Sequence, residues 1–287
     1  MQNNSIKTFK HNPNLVGQAF LVPNVVFSKA TGVELKMQII QPWQDDNWPV
    51  KPKNPLIVFL QGSAWTFPNV NYEIPQLSEF ARMGYVVATI THRNRMEGYP
   101  GPAFLQDTKT AIRFLRKNAD EYGIDPERIC FWGTSSGGNT SLLVALTGDD
   151  PKYKTEEYPE FSDSVKVAID CFGPVNLISL ADYLTAHGDP AIFESLVGGK
   201  LADHRELLKE LSPLLIIKKN EKYPPFLLLH GDADSIVPYD ESLNMYQALL
   251  ENGYEAEMIR VENGPHEHSF WSRELLAEIA DFIKRKL

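Results

Sequence analysis

Residues 129–137 read Ile-Cys-Phe-Trp-Gly-Thr-Ser-Ser-Gly, an apolar run of strand length that leads into a glycine-rich turn. Residues 133–137 fit the pattern G-x-S-x-G, and a helical stretch follows over residues 140–146. A nucleophile on a sharp strand-to-helix turn needs neighbours without side chains, because the backbone must bend and leave the hydroxyl exposed. The pattern therefore predicts Ser135 as a nucleophile beside a helix N-terminus, which favours developing negative charge.

Apolar runs and amphipathic helical patterns alternate on both sides of this turn. Such alternation is typical of an α/β fold, in which helices cover both faces of a mainly parallel twisted sheet. Two further runs, 24–28 and 33–40, are joined through Ala30-Thr31-Gly32 and predict an antiparallel hairpin at one edge. The predicted strands of the main sheet are residues 56–60, 85–91, 129–132, 165–172, 226–229 and 257–261.

Apolar residues at helical spacing mark two of the helices. One is predicted over residues 112–122, with Gly123 as its C-terminal cap. The other covers residues 275–283 and closes the chain against the sheet. Both patterns fit helices that pack one apolar face on the sheet.

The alternation breaks between residues 173 and 223, which contain short helical pieces and two prolines but no convincing strand. Insertions at this point hang over the carboxyl ends of parallel strands, where open α/β folds bind ligands. A chain of 287 residues is within the range of one large sheet domain. We predict a single domain over residues 1–287 with a cap insertion at about residues 175–222, after the sixth strand.

A serine hydroxyl needs a base, and after a turn of this kind an acid and then the base follow in chain order. Of the seven histidines, two precede Ser135, two lie in the predicted cap and one comes before a suitable acid. His266 and His268 remain as candidates for the base. Asp234 is the predicted acid, on the loop after strand 226–229, and Asp232, more typical of a turn, is the reserve.

An acyl-transfer enzyme also needs hydrogen-bond donors for the oxyanion. Residues 61–65, Gln-Gly-Ser-Ala-Trp, directly follow a predicted strand, which leaves backbone N–H groups free to face a site. Gly62 and Ser63 are the predicted donors from this segment. Ser136, the residue after the nucleophile, is the predicted third donor.

Composition excludes several classes of function. Net charge is −9, which repels nucleic acid and anionic membranes, and 43% hydrophobic and 23% charged residues are typical of a globular protein. No apolar stretch reaches the length of a membrane span, and residues 1–10 are polar, so we expect a cytoplasmic protein. Phosphate-binding and dinucleotide motifs are absent, and His266-Glu267-His268 offers only two metal ligands, so we predict neither cofactor nor metal.

The chain resembles the hormone-sensitive-lipase-like and bacterial acetylxylan/feruloyl esterase branch of the α/β-hydrolases. The order and spacing of four segments carry the resemblance: residues 61–65, 133–138 and 230–238, and Asn263-Gly264-Pro265-His266. The resemblance runs from about residue 33 to the C-terminus. It favours His266 as the base, because residues 263–265 are similar to the small-residue turn that precedes the family's histidine. His268 stays open, because Ser269-Phe270 resembles the Gly-Phe that often follows that histidine.

The resemblance also implies activity on esters of short acyl chains or of acylated sugars, without a cofactor. The family's oxyanion segment reads His-Gly-Gly, a small residue and Trp. Here Gln61 replaces the histidine and Ser63 a glycine, changes that keep the backbone donors but bear on loop rigidity and substrate preference. We expect the Gln61 amide to hold the loop and Trp65 to contact the substrate.

The sequence thus predicts a serine carboxylesterase that forms an acyl-enzyme on Ser135, with a small-molecule ester as its substrate. An amidase, either an arylformamidase or a small peptidase, is the first alternative, because the same triad serves amides. A non-catalytic binding protein on the hydrolase fold is the second. The predicted partners include no nucleic acid and no membrane, and a homodimer is compatible with the sequence.

Overall fold

The computed structural model describes residues 6–45, 48 and 52–287. Within these residues, eight strands form one sheet in the order β1-β2-β4-β3-β5-β6-β7-β8. β2 is antiparallel to β1 and β4, and the pairs from β4 through β3 to β8 are parallel. The strands are β1 Ala19–Ser28, β2 Leu35–Pro42, β3 Asn54–Leu60, β4 Val86–Ile90, β5 Ile124–Thr134, β6 Val167–Cys171, β7 Phe226–Gly231 and β8 Ala256–Val261.

Helices cover both faces of this sheet. They are α1 Ile74–Arg82, α2 Ala103–Lys117, α3 Ser136–Leu146, α4 Leu177–Ala186, α5 Ala191–Val197, α6 Arg205–Glu210, α7 Pro213–Ile216, α8 Tyr239–Glu251 and α9 Arg273–Lys286. The α/β fold, the edge hairpin and the strands predicted from the sequence are confirmed. Every parallel strand ends at the same edge of the sheet, so the loops that follow β3, β5, β7 and β8 come together there.

The alternation of side chains along β3 shows how the sheet separates two cores. Leu56, Val58 and Leu60 face a cluster that includes the apolar side of α2 and α3. Ile57 and Phe59 face the opposite cluster, which includes α1 and α9. Successive residues of a strand point to opposite faces, so a continuous apolar run fits a strand that is buried on both sides.

One predicted helix boundary is wrong. The helix expected to continue to Tyr122 ends at Lys117. The Asn118 side chain donates to the carbonyl of Phe114, and the chain then turns so that the Ile124 N–H donates to the carbonyl of Ala119. Apolar residues at 119 and 122 keep helical spacing because the turn also packs them against the core.

The predicted cap lies between β6 and β7 and contains α4 to α7. Its apolar residues, among them Phe193, Leu196 and Leu208, belong to the same cluster as the side chains of α2. Trp65 connects the two regions, because its ring lies 6.0 Å from Phe104 and 6.1 Å from Phe193. The cap segment is therefore packed on the sheet domain through aromatic contacts.

Candidate active site

Ser135 occupies the turn between β5 and α3 in a strained backbone conformation. Its φ is +52°, which non-glycine residues rarely adopt outside special turns. Two glycines make the turn possible. A Cβ on Gly62 would lie 2.5 Å from the Ser135 Cβ, and one on Gly137 would lie 2.1 Å from the carbonyl oxygen of Leu60. The glycines therefore allow neighbouring backbone to approach the serine closely.

A chain of hydrogen bonds links the three residues that the sequence nominated as a triad. The His266 Nε2 lies 3.0 Å from the Ser135 Oγ. On the other side of the ring, the His266 Nδ1 lies 2.6 Å from the Asp234 Oδ2. The carboxylate accepts from Nδ1–H, which leaves Nε2 as the acceptor for the serine proton. The three residues come from loops after β5, β7 and β8.

The Asp234 carboxylate is buried and held by several donors. The backbone N–H groups of Ile236 and Val237 donate to Oδ1 at 2.8 and 2.9 Å. His230 Nε2 lies 3.3 Å from Oδ2, in addition to the bond from His266. Burial raises the pKa of Asp234, but the hydrogen bonds from His230, His266 and the two amides outweigh it and bring the pKa below its usual range. The carboxylate therefore stays ionised.

Two residues of this site were not singled out from the sequence. His230 is fully buried and lies 2.7 Å from the Ser242 hydroxyl and 2.9 Å from the Val237 carbonyl, so it anchors the loop that carries Asp234. Phe172, with a φ of +46°, places its ring 4.7 Å from the His266 ring. Its position directly after β6 was the available signal, because loops at this edge supply site residues.

The alternative acid and base lie elsewhere. Asp232 accepts from the Asn263 N–H at 2.6 Å and pairs with Arg260 at 3.3 Å. His268 is exposed. Of the two candidate pairs, only Asp234 and His266 form the hydrogen-bonded chain to Ser135 among the described residues.

The predicted oxyanion donors differ from what the structure provides. The Gly62 N–H donates to the Thr134 Oγ1 at 2.8 Å, and the Ser63 N–H donates to the Ser136 Oγ at 2.9 Å. Both amides are therefore already engaged, because hydroxyl groups of the nucleophile turn reach across to the loop. Among the described residues, the N–H groups of Ser136 and Ala64 have no acceptor.

Trp65 is placed differently from the prediction as well. Its side chain is 3% exposed and packs in the core beneath the cap, so it is not a surface available for substrate. The physical reason is the backbone conformation of the loop at Trp65 and at the residue before it. Ala64 and Trp65 both have positive φ values, +48° and +57°, and this turn directs the indole into the apolar cluster.

The Gln61 side chain closes the oxyanion loop on itself. Its Oε1 accepts from the Asn69 N–H at 2.6 Å, which joins the two ends of residues 61–69. The Gln61 side chain also contacts Glu73, a buried residue at the start of α1 that was not among the predicted site residues. Nothing in the sequence around Glu73 distinguishes it from an ordinary exposed acid at the start of a helix.

The described residues contain no group of three or more His, Cys, Asp or Glu side chains placed to hold a metal ion. None of the helices in the described part of the chain is both long and apolar enough to cross a membrane.

Similarity to known proteins agrees with this geometry. Esterase LipC of Mycobacterium tuberculosis is 30% identical over 216 residues, which are 74% of this chain and 52% of LipC. A carbohydrate esterase from gut microbiota, solved in truncated form, is 25% identical with a TM-score of 0.77, over 96% of this chain and 98% of that one. A bifunctional GH43-CE protein of Bacteroides eggerthii is 28% identical with a TM-score of 0.79, over 96% of this chain and 38% of that one.

The chain spans about half the length of the curated relatives it matches. The profile of the BD-FAE family matches residues 47–249, which include Ser135 and Asp234 and make up more than half of the chain. The match ends before the loop that carries His266. With the eight-stranded sheet and the strained serine turn, it shows that this chain belongs to the BD-FAE family of α/β-hydrolase esterases.

Proposed function

We propose that this protein is a serine carboxylesterase that hydrolyses esters of short acyl chains or acetylated sugars. The observation that carries the proposal is the hydrogen-bonded chain from Asp234 through His266 to Ser135, with distances of 2.6 and 3.0 Å. Such a chain activates a hydroxyl that is otherwise a weak nucleophile. Relatives named as esterases and a carbohydrate esterase with the same fold support the choice of substrate class.

The geometry supports a two-step reaction. The Ser135 Oγ attacks the ester carbonyl while His266 Nε2 takes its proton, and Asp234 stabilises the imidazolium that results. His266 then returns the proton to the leaving alcohol, and the acyl group stays on Ser135. In the second step His266 takes a proton from water as the water attacks the acyl-enzyme, and it then gives this proton to the Ser135 Oγ as the bond to the acyl group breaks and the acid leaves.

The developing oxyanion needs donors that are free in the resting enzyme. The Ser136 N–H meets this condition at the first position of α3, and the Ala64 N–H meets it in the loop after β3. The Ser63 N–H becomes a third donor only if it exchanges the Ser136 hydroxyl for the oxyanion. We therefore assign the oxyanion to Ser136 and Ala64.

Short acyl chains are favoured because the cap contains only short helices, of four to ten residues. A long amphipathic lid that could engage a lipid interface is absent from the described residues. Rates measured from acetyl to dodecanoyl esters should fall with chain length. A rising series would contradict the short-chain assignment.

The test of the activity compares wild type with Ser135→Ala. Wild type should hydrolyse 4-nitrophenyl acetate and react with a fluorophosphonate probe at Ser135, and the variant should do neither. Equal rates for the two proteins, or folded wild type that the probe does not label, would overturn the proposal. Faster turnover of aminoacyl anilides or N-formylkynurenine than of acetyl esters would make the protein an amidase.

A further inference from the structure

A cavity of about 230 Å³ lies between the start of α1 and the chain that leads into α9. Its floor is apolar and aromatic, formed by Phe59, Leu77, Trp132 and Trp271. Glu73 supplies a carboxyl group to the wall. The remaining lining residues are Tyr72, Gln76, His268 and Leu276. A cavity of this volume has room for one six-membered ring of a ligand.

The cavity adjoins the proposed catalytic residues on two sides. Trp271 Nε1 donates to the Glu267 Oε2 at 3.2 Å, and Glu267 is the residue after His266. Trp271 also lies 6.1 Å from Phe172, the ring that packs on His266. On the other side, Glu73 contacts Gln61, the residue before the glycine that approaches Ser135. The cavity is thus connected to His266 and Ser135 through residues that contact its wall, and none of the three triad residues is part of its described lining.

Glu73 is only 8% exposed, and its Oε1 has no hydrogen-bond partner among the described residues. Buried polar atoms are nearly always paired, and an unpaired one costs about 1–3 kcal/mol. The other side of the carboxyl group faces Gln61, whose own oxygen is engaged by Asn69, so Gln61 donates to Glu73. The unpaired Oε1, which is itself closed to solvent, is therefore the carboxyl oxygen left for a ligand to pair.

We propose that this cavity is a substrate subsite in which Glu73 donates a hydrogen bond to an oxygen acceptor on an uncharged group of the ester. The inference rests on the proposed esterase activity and extends it to the selection of substrate. Ring ether, alkoxy and carbonyl oxygens share the required chemistry. The aromatic floor favours such an oxygen within or on a ring.

The charges around the cavity favour a neutral Glu73. Burial and then the nearby Glu267 carboxylate raise the pKa of Glu73 to about 8. The other titratable groups in the wall are Tyr72 and His268, and no Lys or Arg belongs to the lining that the structure describes. A protonated carboxyl group can donate to an acceptor, whereas an ionised one repels it. The subsite should then lose its preference for an oxygen above about pH 8.

The experiment uses pairs of esters that differ by one oxygen. Tetrahydropyran-4-yl acetate and cyclohexyl acetate place the ring on the alcohol. Ethyl 3-(4-methoxyphenyl)propanoate and ethyl 3-(4-ethylphenyl)propanoate place it on the acyl group. The readout is the kcat/KM ratio of the oxygen-containing ester to its partner at pH 6.5 and pH 9.5. The titration of the triad cancels in this ratio.

Three variants test the role of the carboxyl group. Glu73→Gln keeps a donor that does not titrate, and Glu73→Met removes the donor at similar size. Glu79→Gln is the matched control, because Glu79 is an exposed acid on the same helix. Circular dichroism establishes that each variant is folded. Ratios are compared with those of Glu73→Met, so that intrinsic differences in ester reactivity are removed.

For one pair of esters, wild type at pH 6.5 should exceed Glu73→Met in this ratio by about fivefold, the effect of one hydrogen bond. The excess should disappear at pH 9.5 in wild type and in Glu79→Gln, but persist in Glu73→Gln. The pair of esters that shows this excess indicates whether the alcohol group or the acyl group of the substrate occupies the cavity. Equal ratios in wild type and Glu73→Met for both pairs, or an excess in wild type that does not change with pH, would overturn the proposal.

Hydrolysis of ethyl acetate, which has no ring, separates this inference from the proposed function. If wild type hydrolyses ethyl acetate through Ser135 but shows no preference for the oxygen-containing esters, only the subsite is wrong. If no ester is hydrolysed, both proposals fail. If the cyclohexyl ring carries an ammonium group and this ester is preferred above pH 8, the cavity selects cations instead, which also overturns the proposal.

Discussion

Two buried carboxyl groups lie near the loop that carries His266, and their surroundings move their pKa values in opposite directions. Asp234, in the loop after β7, accepts hydrogen bonds from two backbone amides and from His266, and His230 Nε2 lies 3.3 Å away. Glu73, at the start of α1, leaves one oxygen without a partner among the residues that the structure describes. Both are desolvated, but donors lower the pKa of Asp234 and their scarcity leaves that of Glu73 raised to about 8.

The comparison shows that burial alone does not decide the charge of an acid. The donors that reach the carboxylate and the charges beside it, here the Glu267 carboxylate near Glu73, decide it. Asp234 is suited to stay ionised and stabilise a cation on His266, whereas Glu73 is suited to stay neutral and donate. Pairs of acids with separated pKa values are a recurrent arrangement in enzyme sites.

Removal of the base should have the largest effect, because it disconnects Asp234 from Ser135. His266→Ala should reduce kcat for 4-nitrophenyl acetate by several orders of magnitude, up to about 10⁶-fold. His268→Ala is the control and should lose far less, since His268 is outside the hydrogen-bonded chain. The reverse pattern in steady-state kinetics would transfer the role to His268.

The next largest effect should come from removing the charge of Asp234 without changing its shape. Asp234→Asn should lower kcat by about 10⁴-fold, because the amide no longer stabilises the imidazolium or its tautomer. Asp232→Asn is the matched control two residues away and should stay near wild type. Comparable losses in the two variants would show that the whole loop, and not the Asp234 charge, supports catalysis.

The opposite pKa shifts should appear as opposite effects of pH on stability. Folded Glu73 has a pKa of about 8, whereas unfolded Glu73 releases its proton near the ordinary value of 4.5, so stability falls as the pH rises between these values. Wild type should therefore lose up to about 2–4 kcal/mol relative to Glu73→Gln from pH 5 to pH 9, at about 1.4 kcal/mol per unit of pKa.

Asp234 changes the stability of the folded protein with pH in the opposite direction from Glu73. Its lowered pKa stabilises the folded protein above the ordinary value of 3.8, and that stability is lost as the pH falls further. Urea unfolding midpoints of wild type and Glu73→Gln at pH 5 and pH 9 measure the difference for Glu73. Parallel pH profiles would show that Glu73 has an ordinary pKa, and the contrast with Asp234 would then be lost.

The smallest effect is expected at Gln61, which connects the oxyanion loop with Glu73. Gln61→Ala removes the bond to the Asn69 N–H, so kcat should fall about tenfold while KM rises less. Gln247→Ala, on the exposed side of α8, is the control. An unchanged kcat would mean that the backbone holds the loop without this side chain.

Much of the fold could be predicted because its signals are local. The strand runs and the G-x-S-x-G turn are periodicities and backbone requirements of neighbouring residues. The turn at Asn118 was missed, since a tertiary contact and a side-chain bond to Phe114 overrode the helical spacing. Ser135 was predicted from its motif, Asp234 from its place in the chain order and His266 from the resemblance to the family's turn, and the structure places the three side chains in hydrogen-bonding contact.

The sequence by itself determined the order of the elements, the identity of the serine turn and a short set of candidate acids and bases. Only the tertiary structure decided between Asp234 and Asp232, engaged the amides of Gly62 and Ser63 with hydroxyl groups, and buried Trp65 beneath the cap. It also decided that Glu73 lines a cavity and keeps one oxygen unpaired within the described part of the chain. The reason is that these outcomes depend on distances between residues far apart in the chain, about which local patterns carry no information.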